Sequence, residues 1–274
     1  MLDDGKIMKG IRFMTGSISK NMAGPGKRRL QPLVAWRAVK ALLADKEDTG
    51  QVFVAIRAMS GPSDDRNYRR FARDPMGRRI LAENRSLLNM LSDQTALAAL
   101  PAGSLGRAYL DFVQGENLSA DGLVDASEAG GQDYFTPDQQ LFSDRIRDMH
   151  DLWHVAAGYG RDGLGELCLL AFSYKQMGNL GIALIILMGA RAGAKDNPGA
   201  GIWAAIREGY RLGRQAAWLP AADWERLLGL PMETVRQELG LHAPVRYRQA
   251  LAHVHAREAA GEMAGTAAGP SMAA

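Results

Sequence analysis

Between Thr136 and Glu166 the chain reads TPDQQLFSDRIRDMHDLWHVAAGYGRDGLGE. From Pro137 to Ala157 the apolar residues recur three and four apart, the period of a helix that buries one stripe. Thr136 is a good N-cap, and Pro137 stands in the first turn, where a missing N–H costs nothing. The run Gly158-Tyr-Gly-Arg-Asp-Gly-Leu-Gly165 then puts four glycines in eight positions, a strong helix break. Asp162 is placed to cap a second helix behind it. The same three-and-four spacing extends over nearly the whole chain, and alternating β-branched runs are scarce. The reading is an all-α protein, a single compact multi-helix domain with about ten helices. The candidates are Pro32–Leu43, Gly50–Met59, Pro75–Asn89, Gly103–Gln114, Pro137–Ala157, Gly163–Ala190, Gly199–Gln215, Pro220–Leu228, Met232–Leu239 and Val245–Ala256. Asp74 before Pro75 is a second cap-and-proline start. The Gly, Ser and Asp-rich stretch from Glu116 to Asp133 reads as a loop, and the Ala/Gly tail beyond His255 as frayed or disordered.

The 274 residues carry 47% hydrophobic and 23% charged side chains, enough apolar material for a substantial core. The net charge of +3 conceals an asymmetry. Residues 1–40 hold nine basic and two acidic side chains, which leaves 24 basic against 28 acidic in the remainder. Such a basic end suits attachment to an anionic surface. Within it, Lys6–Lys20 places Ile7, Met8, Ile11, Met14 and Ile18 on one helical face, as in a segment lying on a membrane. We therefore divide the chain into a basic, partly amphipathic segment (1–30), an all-helical domain (31–257) and a tail (258–274). A nucleic-acid binder fits poorly, because 7% aromatic content and an acidic body offer no basic face interleaved with stacking rings. The lone Cys168 excludes an internal disulfide and a cysteine-cluster metal site, which suits a reducing, cytoplasmic compartment. The longest uncharged stretch, Gln176–Ala190, has 15 residues, short of the roughly 20 that span a bilayer.

The chemistry concentrates at the break. His150 and His154 lie one turn apart on the same helix face, with Asp151 between them. If Asp162 caps the next helix, Glu166 falls in its first turns, directly across the hinge. Two imidazoles and one or two carboxylates suit zinc with an open position, or a two-histidine, one-carboxylate site for iron, manganese or cobalt. Asp151 points about 100° away from His150 around a helix, so it serves either as a ligand or as a group that orients an imidazole. The competing reading is of ordinary ion pairs, Asp151 and Glu166 balancing Arg147 and Arg161. A zinc protease would need glutamate directly after the first histidine, where this chain has Asp151.

His150-Asp151-Leu-Trp-His154, eleven further residues and then Glu166 resemble the metal motif of the coenzyme Q (ubiquinone) biosynthesis protein four family. The likeness extends to Asp74-Pro-Met-Gly-Arg-Arg-Ile-Leu81, Leu100-Pro-Ala-Gly-Ser-Leu-Gly106 with Tyr109, Arg145-Ile-Arg147, Trp224-Glu225, Val235-Arg236 and Leu239-Gly240, roughly residues 35–250. What the resemblance implies is an all-helical fold, one divalent metal ion on His150, Asp151, His154 and Glu166, and a polyprenylated aromatic substrate. It implies oxidative decarboxylation of a polyprenylated hydroxybenzoate precursor at ring carbon 1. The alternative it leaves open is a non-catalytic lipid-binding scaffold that organises the ubiquinone biosynthesis proteins around a structural metal. The expected location is the cytoplasmic side of the inner membrane, peripherally attached, with the other biosynthesis proteins as partners and a homodimer as a further candidate.

Asp151 and Arg147 are the candidate catalytic groups, Arg145 or Arg147 pairing with the substrate carboxylate. The run Leu180–Ala190 is apolar around its whole circumference and is expected to be surrounded, either as a core helix or as the wall of a prenyl channel, with Leu184, Ile185 and Met188 on the lipid tail. Trp153 and Tyr159 are candidates for stacking on the substrate ring.

Overall fold

Side-chain caps start many of the helices, and left-handed glycines end several. The computed structural model of the protein describes residues 30–44, 51, 54–55, 58–59, 63–115 and 136–267. Among these residues the extended structure is confined to one isolated bridge between Ser104 and Pro231. In chain order the helices are α1 (Pro32–Ala44), α2 (Ser63–Arg73), α3 (Pro75–Ala82), α4 (Leu87–Ser92), α5 (Gln94–Ala99), α6 (Leu105–Gln114), α7 (Pro137–Asp148), α8 (His150–Ala157), α9 (Gly163–Met177), α10 (Leu180–Asp196), α11 (Ile202–Gln215), α12 (Trp224–Leu227), α13 (Met232–Leu239) and α14 (Val245–Ala267). Eleven of the fourteen have seven residues or more, in agreement with the all-α reading and its count of about ten. The described residues of the expected 50–59 helix are helical too.

The differences lie at breaks. Pro75–Asn89 is interrupted after Ala82, where Asn84 takes φ +47°, and α4 begins at Leu87. Pro137–Ala157 is interrupted at the buried Met149, between α7 and α8. Gly163–Ala190 ends its first half on Gly178 at φ +67°, and the Asn179 side chain then caps α10 by accepting from Gly181 N at 2.8 Å. Helix α2 was not expected, because its charged sequence buries only Ser63, Asn67 and Phe71 and so shows little apolar period. Helix α14 continues to Ala267, well beyond the expected end at Ala256. The amphipathic stretch Lys6–Lys20, the Glu116–Asp133 loop and the last seven residues lie outside the described residues.

The core is built on α9 against α11. A Cβ at Gly209 would sit 2.5 Å from the Cys168 carbonyl oxygen, and one at Gly213 would sit 2.5 Å from that of Phe172. The glycines, four apart on one face, thus allow the two backbones to approach closely. Cys168, Leu169 and Phe172 of α9 join Met149, Leu152, Trp153 and Trp224 in one continuous apolar cluster. Helix α10 is surrounded only in part by the described residues. Gly181, Ile186 and Ala190 are buried, whereas Leu180 is 43% and Leu187 56% exposed. It packs on α9, where Gly189 lets Leu167 come close, and elsewhere Leu184 and Met188 pack against Ala38 and Ala55.

Candidate metal centre

The break between α8 and α9 is a tight return, not a slack linker. Gly158 ends α8 at φ +79°, and Asp162 caps α9 by accepting from Leu164 N (3.1 Å) and Gly165 N (2.9 Å). The other Asp162 oxygen accepts from the Tyr247 hydroxyl of α14, and that hydroxyl in turn accepts from Gly160 N at 3.0 Å. A Cβ at Gly165 would fall 2.2 Å from the Gly160 carbonyl oxygen, so the return closes only because side chains are missing.

That closure sets Glu166 beside the two histidines of α8. One ligand atom from each of His150, His154 and Glu166 lies within 4.8 Å of the others. The imidazole centroids are 4.9 Å apart, and His154 Nε2 is 3.0 Å from Glu166 Oε1. His154 is fully buried, and its Nδ1 stands 3.3 Å from the Tyr159 carbonyl oxygen. A proton on Nδ1 donated there leaves the Nε2 lone pair free for a cation.

Asp151 stands beside this trio, outside it. One oxygen is 3.4 Å from His150 Nδ1 and the other 3.4 Å from Arg161 Nη2. Burial works to raise the Glu166 and Asp151 carboxyls, but the adjoining imidazoles, His154 for Glu166 and His150 for Asp151, hold both below the ordinary carboxylate range. Burial likewise opposes charge on His150, yet the Asp151 hydrogen bond and the Glu166 charge raise it above its ordinary value. The cluster is thus poised with ionised carboxylates, the state a divalent cation needs.

Sequence reading missed the residues that frame the trio. Phe112 of α6 lies 5.6 Å from the His154 ring, and the Arg161 guanidinium sits 4.1 Å over the Phe112 ring. Tyr109, one turn earlier and fully buried, has its hydroxyl pushed up by burial and then by the Asp151 charge. Tyr109 was noticed only within the family likeness. Phe112 is some forty residues from the motif and carries no local signal.

The remaining candidates fall as follows. Arg145 is not available to a substrate: it is buried, meets both Glu225 oxygens at 2.6 and 2.9 Å, and also donates to the Ala222 carbonyl. Arg147 pairs with Asp148 at 2.8 Å and Asp144 at 3.1 Å. Leu184 and Met188 pack with Val54 beside Ala38 and Ala55, and Ile185 is half-buried. Trp153 and Tyr159 are core residues, packed edge-on against Phe172 and Tyr247 respectively. Cys168 is buried, with burial pushing its thiol up, so it packs and does not ligate.

Among the described residues no helix is long and apolar enough to cross a membrane. The sequence profile of the family described as coenzyme Q (ubiquinone) biosynthesis protein Coq4 matches residues 32–245. The chain is 30% identical over 174 residues to the Bos taurus ubiquinone biosynthesis protein COQ4 homolog, mitochondrial, covering 63% of each protein. Against the Homo sapiens homolog it is 29% identical over 186 residues, 66% of each. The matches thus span a little under two thirds of the length of these relatives. A crystal structure from Nostoc punctiforme PCC 73102, described as a candidate ubiquinone biosynthesis protein, superposes with a TM-score of 0.59 at 20% identity. It covers 78% of this chain and all of that one, and at this identity speaks for the fold alone. With the profile matched over most of its length, the chain belongs to the coenzyme Q (ubiquinone) biosynthesis protein Coq4 family.

Proposed function

We propose that this protein holds one divalent metal ion on His150, His154 and Glu166 and acts in ubiquinone biosynthesis on a polyprenylated hydroxybenzoate precursor. The reaction is oxidative decarboxylation, loss of the carboxylate with hydroxylation, at ring carbon 1. The observation that carries this reading is the convergence of two imidazoles and one carboxylate within 4.8 Å of one another. A donor set of two nitrogens and one carboxylate fits zinc, iron, manganese or cobalt and leaves positions open for a substrate oxygen. When bound, such an ion supplies Lewis-acid stabilisation of negative charge developing on the ring, with dioxygen chemistry added if it is redox-active.

The chain's own residues do the rest. Asp151 accepts the Nδ1 proton of His150 and thereby presents the opposite ring nitrogen to the ion. The His150 imidazole and, after it, the Arg161 charge keep Asp151 ionised. Phe112 and Tyr109 wall off water on the α6 side. Arg147 is assigned to the substrate carboxylate, exchanging its contacts with Asp144 and Asp148 for it, because Arg145 is committed to Glu225. The prenyl tail is assigned to Leu184, Ile185 and Met188, with the protein held peripherally on the cytoplasmic side of the inner membrane beside its biosynthetic partners.

The test is to load the purified protein with each first-row divalent ion and offer the prenylated acid with oxygen. Hydroxylated, decarboxylated product is expected by mass spectrometry. His150→Ala is expected to abolish it while lipid binding and folding persist. Absence of turnover with every ion overturns the enzymatic reading, and loss of partner assembly in His150→Ala indicates a scaffold with a structural metal.

A further inference from the structure

Three cationic side chains from three helices meet at one cavity of about 150 Å³. Arg70 comes from α2, Lys175 from the last turn of α9 and Arg214 from the last turn of α11, and Gln176, Gly213, Ala216 and Trp218 complete the lining. Among the described residues none of the lining groups is a carboxylate. The C-terminal ends of α9 and α11 favour one cation each. Arg70 joins them from a third helix. The acid that acts on Arg70 electrostatically is Asp74, and it is occupied in capping α3, accepting from Met76 N at 2.8 Å and Gly77 N at 3.2 Å.

The floor is built and rigid. The buried Gln176 amide donates to the Gly213 carbonyl (2.7 Å) and the Ala217 carbonyl (3.2 Å), and its oxygen accepts from Leu219 N (3.0 Å). Trp218 Nε1 donates to the Gln176 carbonyl at 3.1 Å, which fixes the indole. The Arg70 guanidinium lies 4.1 Å over that indole, so its planar fork is held at the rim. The cavity is well below the roughly 300–1,000 Å³ of drug-sized sites yet exceeds several waters at about 30 Å³ each. Two arginines and a lysine, whose ammonium also lies 5.9 Å over the Tyr210 ring, give such a volume the charge and donors that suit a tetrahedral oxyanion.

We propose that this cavity binds a phosphate group, either of a free phosphate compound or of a lipid headgroup. It is separate from the metal centre: Lys175 and Glu166 share α9 but lie nine residues apart, about 14 Å along the axis. The inference therefore does not rest on the proposed activity.

The test uses the full chain and a Lys175→Gln/Arg214→Gln variant, both changed side chains being exposed. Thermal melts are run with increasing inorganic phosphate against chloride at equal ionic strength. A saturable rise in Tm is expected for the wild type in phosphate, with at least about tenfold weaker apparent affinity in the variant. In chloride the variant is expected to melt within a few degrees of the wild type, since both changed side chains are exposed. Co-sedimentation with phosphatidylcholine vesicles, with and without phosphatidylglycerol, separates the sources. Binding to the anionic vesicles that the variant loses, without a phosphate effect on Tm, assigns the site to a headgroup. An identical phosphate response in both proteins is the general stabilisation by an excluded salt. Together with equal vesicle binding, or with none, it overturns the proposal, as does the absence of any response in both assays.

Discussion

Asp151 borders the proposed metal trio and is not one of its convergent groups. Its neighbour His150 and its partner Arg161 occupy both oxygens, while the convergent atoms belong to His150, His154 and Glu166. Asp151→Asn is therefore expected to weaken metal binding about 10–100-fold without abolishing it, as outer-shell changes do. Glu166→Gln is expected to lose the ion altogether, and chelator competition monitored with cobalt measures both. The Arg145–Glu225 pair makes a second prediction. Burial tends to raise the Glu225 carboxyl, and the Arg145 guanidinium overrides it and holds it below its ordinary value. A depressed carboxylate stabilises the fold above its unfolded pKa of about 4.3 and loses that contribution as pH falls through the lower folded value. Glu225→Gln leaves Arg145 buried beside a neutral partner, so it is expected to cost about 3 kcal/mol at pH 7. The deficit is expected to shrink as pH falls below the unfolded value and the wild-type contribution is lost, and urea melts across pH measure it. The histidine pair was legible from its spacing of four alone. Asp151's role was not, because it turns on which way one side chain points and on Arg161 across the return.

Helix α10 shows what a hydrophobic run does and does not say. Leu180–Ala190 is apolar on all sides, yet among the described residues Gly181, Ile186 and Ala190 are buried, Leu184 and Met188 are half-buried against Ala38 and Ala55, and Leu180 and Leu187 are exposed. Ile186→Asp is expected to unfold the protein, because it places a charge against the core. Leu187→Asp, one residue on and 56% exposed, is expected to leave stability within about 0.5 kcal/mol. If the open face receives lipid, Leu187→Asp also lowers vesicle binding. Circular dichroism melts with co-sedimentation distinguish these outcomes. The helix boundaries themselves were readable where a side chain caps the backbone, as at Thr136, Asp162 and Asp74. They were missed where apolar residues flank the break: Gly178 and Asn179 stop one helix and start another inside a run that looks continuous. Helix α2 was missed for the opposite reason, its burial being confined to Ser63, Asn67 and Phe71.

Across the whole molecule, His150, His154 and Glu166 tie α8 to α9, so the ion proposed to sit there couples to the fold. A ligand bound only by the folded state adds about 2.7 kcal/mol at one hundred times its Kd, some 5–10 °C in Tm for a chain of this size. Removal of metal by a chelator is expected to lower Tm by that order, and zinc or cobalt to restore it in the wild type but not in Glu166→Gln. Calorimetry with and without metal checks this. Charge is also organised at this scale. The acidic body outside residues 1–40 nevertheless gathers Arg70, Lys175 and Arg214 around one cavity. The sequence by itself determined the helical class, the capped starts and the pair His150 and His154, because these follow from spacings of three and four and from the backbone needs of neighbouring residues. Only the tertiary structure decided that Asp151 stands outside the trio, that Arg145 is buried on Glu225 and that three cations share one cavity. Those facts depend on contacts between residues tens of positions apart, where sequence spacing carries no directional information.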